Sequence, residues 1–537
     1  MKPLPPTRVT WPGRLRRTLL VAAAAAALAV GALAAPSAPA HAASTVTNPG
    51  FNANGATTTP TGWTTSSSTG TASASYSEAT STGYNGDGYQ LTHWSSRAFS
   101  VDTYQTLTGL SSGYYTLGVW IRSNGGDNSN YISLTGCGGS NTATNVPADS
   151  DGNWLHIVTY VDVTTGTCTI NFVTSGNAGD WTNYDGVTFT SGSAPVAIRG
   201  GDVSSLYRSE QDGGVYYTSS GTAENADQQL SAAGMNYVRL RVWVNPGDGF
   251  DNEAQLLAMA KQAAGYGQKL LLDFHYSDTW ADPGHQTIPA AWASDTLAQL
   301  ETQVYNYSKQ VVADLVAQGT PPAMVQVGNE INAGMLWPDG STSNWSQLAA
   351  LLKQGIAGVR AAYSSAKVVL HLAGSDSEST LASWYSTAIA DGVSFDDIGL
   401  SYYDYWHGRL DVLQSDLNGL AAKFGKPVFV AETAYPFTLT SNDSSTSLSF
   451  STSSELDPGY PATAAGQAAN FRDVLSVVQA VPNGLGLGAF YWEPTWTVVK
   501  GNGWDPTNPS SGDGWENQAL WNYSNTALPA IADFAAR

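Results

Sequence analysis

Two glutamates stand where chemistry could be done. Val325-Gln326-Val327-Gly328-Asn329-Glu330 places an Asn-Glu pair at the end of one apolar run, and Val428-Phe429-Val430-Ala431-Glu432 ends another run on a second glutamate. A single glutamate in such a place is most often a solvated loop acid or a helix-cap partner. Two that converge can cleave a glycosidic bond, one protonating the departing oxygen while the other attacks the sugar or activates water. Other runs end in suitable company. Tyr237-Val238-Arg239-Leu240-Arg241-Val242-Trp243 puts Arg239, Arg241 and Trp243 on one side of a strand by its two-residue period. A guanidinium beside Glu432 would hold it ionised and fix its rotamer. His275 and Trp280 follow a third run, Tyr402, Trp406 and His407 a fourth, and Trp492-Glu493-Pro494 closes a fifth. Taken singly, such aromatics are packing more often than ligand platforms, but their faces suit the apolar C–H faces of sugars. His275, His371 and His407 could also be read as a zinc centre. No HExxH occurs, however, and histidines among Tyr and Trp serve sugar hydroxyls equally well.

These side chains need a scaffold that gathers the ends of separate strands. Apolar runs at residues 196–199, 237–244, 269–274, 324–327, 368–372, 398–401, 428–431 and 488–492 predict eight strands. Between the third and fourth, Leu297, Leu300, Val304, Tyr307, Val311 and Leu315 recur at helical spacing, and the run stops at Gly319. Helical patterns also cover 254–264, 345–363, 410–424 and 466–479. Strands alternating with helices in this way predict a (β/α)8 TIM barrel over residues 196–537. A doubly wound open sheet is the competing topology, but no Gly-rich phosphate loop follows the first strand. In a barrel, chemistry gathers at the C-terminal strand ends, where both glutamates fall.

Residues 43–190 have a different texture, rich in Thr, Ser and Gly with short alternating runs. Tyr115, Leu117, Val119 and Ile121 share one face; Thr116, Gly118, Trp120 and Arg122 share the other. The prediction is an antiparallel β-sandwich module without amphipathic helices, followed by a linker at 191–195. Trp120 and Arg122 on the outward face, with Trp94 on a loop, could form a stacking platform with a hydrogen-bonding arm; capping of the core is the competing use. Cys137 and Cys168 are the only cysteines and would pair in an oxidising compartment. Residues 1–42 combine four arginines, an apolar run at 19–35 and Ala40-His41-Ala42, the pattern of a cleaved signal peptide. Arg16-Arg17-Thr18-Leu19-Leu20 leaves Sec and Tat export both open. A secreted, extracellular protein is expected, with no membrane segment after signal removal and a monomer as the default.

The composition agrees. Of 537 residues, 42% are hydrophobic, 11% aromatic and only 12% charged, which excludes a coiled coil and a highly charged disordered chain. Lys and Arg number 23 against 43 Asp and Glu; without the five basic residues before position 43 the balance is 18 against 43, or −25. Such a chain repels nucleic acid and anionic lipid, so a neutral polymer is the favoured partner.

Residues 200–202, 237–246, 273–283, 328–330, 399–408, 431–433 and 491–494 together resemble glycoside hydrolase family 53, the endo-β-1,4-galactanases of a large retaining clan of barrel glycosidases. The resemblance implies that Glu330 is the acid/base, Glu432 the nucleophile, and Asn329 a contact of the sugar 2-hydroxyl. It implies further that Arg239, Arg241, His275, Tyr402, His407 and Trp492 line the cleavage subsite, with Trp280, Asp282 and Trp406 nearby in the groove. Some bacterial members hold calcium between the seventh and eighth strand loops, using an acidic stretch that contains His. Here Thr440-Ser441-Asn442-Asp443-Ser444-Ser445 lacks that His, leaving Asp443, Asp505 and Asp513 as the oxygen ligands on offer. The implied chemistry needs no cofactor, and calcium would be structural. Residues 91–95, 103–106, 113–117 with Trp120, and 181–189 resemble carbohydrate-binding module family 61, which binds galactan.

The implied reaction is a double displacement on a β-1,4-galactan. Retention goes with carboxyl groups about 5–5.5 Å apart, inversion with about 6.5–9.5 Å. It also requires Glu330 to have a raised pKa and Glu432 a lower one. Two rivals are a mannanase or cellulase of the same clan, and a non-catalytic polysaccharide-binding protein with a decayed barrel. The presence of both glutamates, Asn329 and the surrounding aromatics opposes the second.

Overall fold

The computed structural model describes residues 46–536 except 87, 149–151, 375–376, 444–446 and 457–458, so the signal sequence expected at 1–42 lies outside the described residues. Ten strands come first: β1 (Thr64–Ser66), β2 (Ser75–Ala79), β3 (Tyr89–Trp94), β4 (Phe99–Thr108), β5 (Gly113–Ser123), β6 (Ser129–Thr135), β7 (Thr142–Asn145), β8 (Leu155–Val163), β9 (Thr167–Gly176) and β10 (Trp181–Ser191). They form two antiparallel five-stranded sheets, ordered β1-β4-β9-β6-β7 and β2-β3-β10-β5-β8. Alternation decides which face is buried. Tyr115, Leu117, Val119 and Ile121 of β5 lie inside, while Thr116, Trp120 and Arg122 are only partly covered. Stacked rings of Trp63, Phe172 and Tyr184 fill the interior. Cys137 and Cys168 are joined in a buried disulfide across 31 positions. Closing a loop of that size restricts the unfolded chain by about 3–4 kcal/mol.

Eight parallel strands follow: β11 (Ile198–Asp202), β12 (Tyr237–Val242), β13 (Lys269–Phe274), β14 (Met324–Val327), β15 (Lys367–Ala373), β16 (Asp397–Ser401), β17 (Val428–Thr433) and β18 (Gly486–Trp492). They close in sequence order into a barrel, β18 pairing with β11. Helices α1 (Leu206–Gln211), α2 (Ala226–Ala233), α3 (Glu253–Gly265), α4 (Leu297–Ala317), α5 (Trp345–Ala362), α6 (Glu378–Ala390), α7 (Asp404–His407), α8 (Leu410–Phe424) and α9 (Ala464–Gln479) intervene. Their starts are written in side chains: Asn225, Asn252, Ser377 and Thr463 cap α2, α3, α6 and α9, and Thr296 with Gln299 forms a capping box on α4. The apolar stripe of α4 buries Leu300, Val304, Val311 and Leu315.

The first barrel strand begins two residues later than the apolar pattern indicates and runs on through Gly200-Gly201 to Asp202. Packing explains it. A Cβ on Gly200 would lie 2.2 Å from the Phe490 ring, and one on Gly201 would meet the sulfur of Met235 at 2.8 Å, so only glycine fits.

The barrel interior is layered. Ile198, Leu271, Met324, Val369, Phe429 and Phe490 pack together as an apolar floor. Two residues further along β13, β14 and β15 stand Asp273, Gln326 and His371, buried and polar. The two-residue period thus stacks a polar layer directly on the floor, towards the C-terminal strand ends.

The sandwich and barrel belong to one compact unit, Ala42–Arg537. Strand β8 is the edge of its sheet, and the side chain of Gln414 on α8 occupies that edge as a neighbouring strand would. The His156 N–H donates to Gln414 Oε1 and Gln414 Nε2 donates to the His156 carbonyl, both at 2.8 Å. Gln479 on α9 donates to the Ala194 carbonyl in the connecting segment at 2.7 Å. Short linker and side-chain amides together tie the two parts.

Candidate active site

Glu330 and Glu432 face one cavity of about 380 Å³ at the C-terminal mouth of the barrel. Glu330 follows β14 on a bent backbone. Gly328 has φ +88°, and a Cβ there would strike Ile331 at 2.7 Å. Glu330 itself has φ +46°, a left-handed conformation that costs a non-glycine residue on the order of 1 kcal/mol or more. The surroundings hold that bend: Gln286 Nε2 donates to the Asn329 carbonyl at 2.8 Å, and the Glu330 N–H points at His371 Nδ1 at 3.4 Å. Asn329 has no freedom left. Its Oδ1 accepts from Arg239 Nη2 (2.7 Å) and Gln326 Nε2 (2.9 Å), and its Nδ2 donates to the Ala281 carbonyl (2.8 Å).

Glu432 lies within β17. Its Oε1 is 2.8 Å from Arg239 Nη1, and its Oε2 accepts from the Tyr403 hydroxyl at 3.1 Å. Arg239, 1% exposed, also pairs with Asp202 (2.7 Å) and Asp273 (2.8 Å). One guanidinium therefore serves three carboxylates, a task suited to its flat fork of donors. Arg241 also lines the cavity, with its charge paired to Glu493 and Asp251 and its guanidinium 4.3 Å over the face of Trp280.

The electrostatics separate the two glutamates. Burial, followed by the neighbouring charge of Glu432, pushes Glu330 up to about 8. Burial also raises Glu432, against the pull of Arg239 and the Tyr403 hydrogen bond. Glu432 is thus not drawn below the ordinary carboxylate range as its arginine alone would lead one to expect, because desolvation outweighs the ion pair. The direction that matters survives: the proton shared between them belongs on Glu330.

His275, Trp280, Asp282, Trp406, His407 and Trp492 line the same cavity. His275 Nδ1 accepts from the Trp243 indole (3.1 Å) and the Ala281 N–H (3.2 Å), which places its proton on Nε2, facing Asp273 Oδ2 at 3.1 Å. His407 accepts from the Tyr403 N–H at 3.1 Å and is lowered by burial to about 4. Trp406 is half exposed at the rim. Tyr402 is a correction. Its side chain is buried, its hydroxyl donates to the Gly408 carbonyl at 2.9 Å, and Tyr403 lines the cavity in its place. Gly399 and Ser401 of β16 face the barrel interior, so the two-residue period carries Tyr403 rather than Tyr402 to the inner face.

Sequence reasoning also passed over Trp515, which packs edge-on against Trp492 at 4.7 Å, and the aromatic wall beyond it. A second trough of about 570 Å³ shares Trp280, Asp282, Trp492 and Trp515 with the main cavity and adds Trp496 and the exposed Trp504. Trp496, Trp504 and Trp515 sit in the long segment after β18, where no periodic pattern marks them. The three histidines do not assemble a zinc centre: His371 lies beneath Asn329, and no group of three metal-ligating side chains occurs among the described residues.

The three oxygen ligands on offer for a structural calcium are only partly gathered. Asp443 and Asp513 are adjacent, the Asp513 N–H donating to Asp443 Oδ2 at 2.9 Å, but Asp505 is spent on Thr507. Glu516 ties the loop with one oxygen through Ser441 and the N–H groups of Asn442 and Asp443. Burial and the neighbouring carboxylates drive Asp513 well above the usual carboxylate range, and its Oδ2 is buried without a hydrogen-bond partner.

In the sandwich, Trp94 is exposed and ends β3 rather than sitting on a loop. Trp120 is covered by Tyr84, stacked at 3.9 Å, so it offers no open face on that side. Arg122 spends its donors on Asn183, Gln90 and Thr82 and lies 4.7 Å over Trp154.

A closed parallel barrel with two unlike glutamates across an aromatic mouth defines a barrel glycoside hydrolase. Residues 198–534 match the profile of glycosyl hydrolase family 53, and the chain belongs to that family. It is 33% identical to an endo-β-1,4-galactanase of Bacillus subtilis over 371 residues, covering 63% of this chain and 85% of the relative. It is 35% identical to an arabinogalactan endo-β-1,4-galactanase of Thermothelomyces thermophilus, covering 63% and 99%. The solved family 53 catalytic domain of Ignisphaera aggregans superposes with a TM-score of 0.61 at 37% identity, over 63% of this chain and 95% of that domain.

Proposed function

We propose that the protein is a secreted, retaining endo-β-1,4-galactanase acting on the galactan side chains of arabinogalactan and pectin. The observation that carries this reading is the division of labour in the cavity: Glu432 is gripped by Arg239 and Tyr403, while Glu330 is the carboxyl that keeps its proton. Glu330 protonates the glycosidic oxygen as a Glu432 oxygen bonds to the anomeric carbon, and the bond to the departing chain breaks. Water then attacks the same carbon, gives its proton to Glu330, and frees Glu432 as a carboxylate. No cofactor enters either step. Asn329, held by Arg239 and Gln326, presents its amide to the sugar 2-hydroxyl, and Trp280, Trp406 and Trp492 offer ring faces to the polymer.

The substrate follows from the relatives, whose names record endo-β-1,4-galactanase activity. The sandwich acts as a carbohydrate-binding module that keeps the barrel on insoluble polymer, raising local substrate concentration without touching kcat. Its exposed Trp94 supports that role. The buried disulfide agrees with an oxidising compartment. No helix among the described residues is long and apolar enough to cross a membrane. A monomer suffices, since the cavity is complete in one chain.

Product profiling on linear β-1,4-galactan beside mannan and cellulose tests the substrate. Short galacto-oligosaccharides, released with the β-anomer first, are expected; release from mannan or cellulose alone would transfer the reading to another polymer. Glu432→Ala should abolish turnover and leave galactan binding, and near-normal turnover would refute the assignment.

A further inference from the structure

We propose that Glu493 is a positioning residue for Trp280. Through the guanidinium of Arg241 it fixes the indole that borders both the catalytic cavity and the trough beyond it, and so sets how firmly a galactan chain is held there, a role that rests on the galactanase reading.

Glu493 follows β18 directly, and neither half of the reaction uses it. It is fully buried. Its φ of +52° is a left-handed conformation, unfavourable for a residue with a side chain. The bend is held from both sides: the Glu493 N–H donates to the Asp202 carbonyl at 2.9 Å, and its own carbonyl accepts from the Trp496 N–H at 3.2 Å. Both carboxyl oxygens are engaged. Oε2 accepts from the Ser205 hydroxyl at 2.5 Å and the Ser205 N–H at 3.3 Å, and Oε1 accepts from Arg241 Nη1. A buried acid on a strained backbone, away from the reacting atoms, is retained for what it holds.

What it holds is Arg241. Asp251 approaches Arg241 Nε at 3.3 Å and Asp202 lies 3.9 Å from Nη1, yet Nε has no hydrogen-bond partner among the described residues. The bond to Glu493 is therefore the one that sets the plane of the fork. That fork lies 4.3 Å over the Trp280 ring, within the range of a cation–π contact. The indole N–H of Trp280 donates to the Trp504 carbonyl at 2.7 Å, and Trp496 stacks on the ring at 5.9 Å. Trp496 and Trp504 belong to the segment after β18, whereas Arg241 stands on β12 and Glu493 at the end of β18. The ion pair thus registers the ring against the barrel wall that carries Glu330 and Glu432. Trp280 lines both the main cavity and the trough, so a chain that occupies the two must pass it. A sugar stacked on a ring free to tilt is held less tightly in ground state and transition state alike, which raises KM and spares kcat.

Glu493→Gln keeps the shape and removes the charge. KM on galactan should rise about five- to thirtyfold, with kcat within about twofold of the parent. Trp280→Ala should raise KM by itself, and adding Glu493→Gln to it should change nothing further, since an effect carried by the ring disappears with the ring. Additive losses in the double variant, a fall in kcat at unchanged KM, or an unchanged KM in folded Glu493→Gln each overturn the proposal. Should Glu493→Gln fail to fold, Ser205→Ala removes the hydroxyl behind the carboxyl and leaves both charges in place. A smaller rise in KM, again absent in the Trp280→Ala background, is expected there, and no rise overturns the proposal. A parent enzyme that releases nothing from galactan sinks the galactanase reading itself, whereas parent turnover with any of those failures sinks only the positioning role.

Discussion

The guanidinium of Arg239 grips the carboxylate of Glu432 at 2.8 Å and, through its other nitrogen, holds the Asn329 amide at 2.7 Å. One side chain from β12 thus orients the residue that attacks and the residue next to the acid. It is itself clamped by Asp202 and Asp273, so its position is over-determined.

Replacing Arg239 with Lys keeps the charge but not the fork. A single ammonium cannot reach Asp202, Asp273, Glu432 and Asn329 together. We expect kcat/KM to fall by about 10²–10³-fold, the usual loss when one preorganised donor is removed. Steady-state kinetics on galactan check this, and a loss below about tenfold would show that the fork is dispensable.

Activity should decline on the alkaline side as Glu330 ionises, because only the protonated carboxyl can donate to the leaving oxygen. With Glu330 pushed up to about 8, kcat/KM holds through neutral pH and drops above that value. On the acid side, activity drops as Glu432 takes up a proton and ceases to be a nucleophile. A pH–rate profile of the parent enzyme on galactan is the measurement, and an alkaline limb absent up to well above that value would refute the assignment.

Tyr403 and Tyr402 are neighbours with opposite expectations. Tyr403→Phe deletes a hydrogen bond to a charged carboxylate, worth about 1.5–3 kcal/mol, so turnover should fall roughly ten- to a hundredfold. Tyr402→Phe removes a bond to the Gly408 carbonyl rather than one to Glu432 and should stay within about threefold of the parent rate. Reversed results would mean that Tyr402 rather than Tyr403 faces the reacting groups.

Gln414→Ala leaves the His156 N–H and carbonyl without their partners at the sandwich–barrel junction. The cost should be about 1–3 kcal/mol, seen as a lower Tm or as a split of one unfolding transition into two. Hydrolysis of short soluble galacto-oligosaccharides should be unchanged. An unaltered melting profile would show that the edge of β8 does not need this amide.

Much of the architecture is local, and therefore legible in the chain. Strands β13 and β14 and helix α8 run where periodicity alone puts them, since their apolar positions and the glycine after α8 are signals written within one element. The end of β11 is not legible, because Gly200 and Gly201 are accommodated against Phe490 and Met235, residues distant in the chain.

The candidate site divides along the same line. The residue types, their places at strand ends and the Asn-Glu pairing are all present in the sequence, because a barrel converts order along the chain into position around a ring. How far burial offsets the pull of Arg239 on Glu432, that Trp120 lies under Tyr84, and that His371 lies beneath Asn329 were decided only by tertiary structure. Each depends on what a distant segment brings alongside, and desolvation and contact across strands have no counterpart in the spacing of letters along one of them.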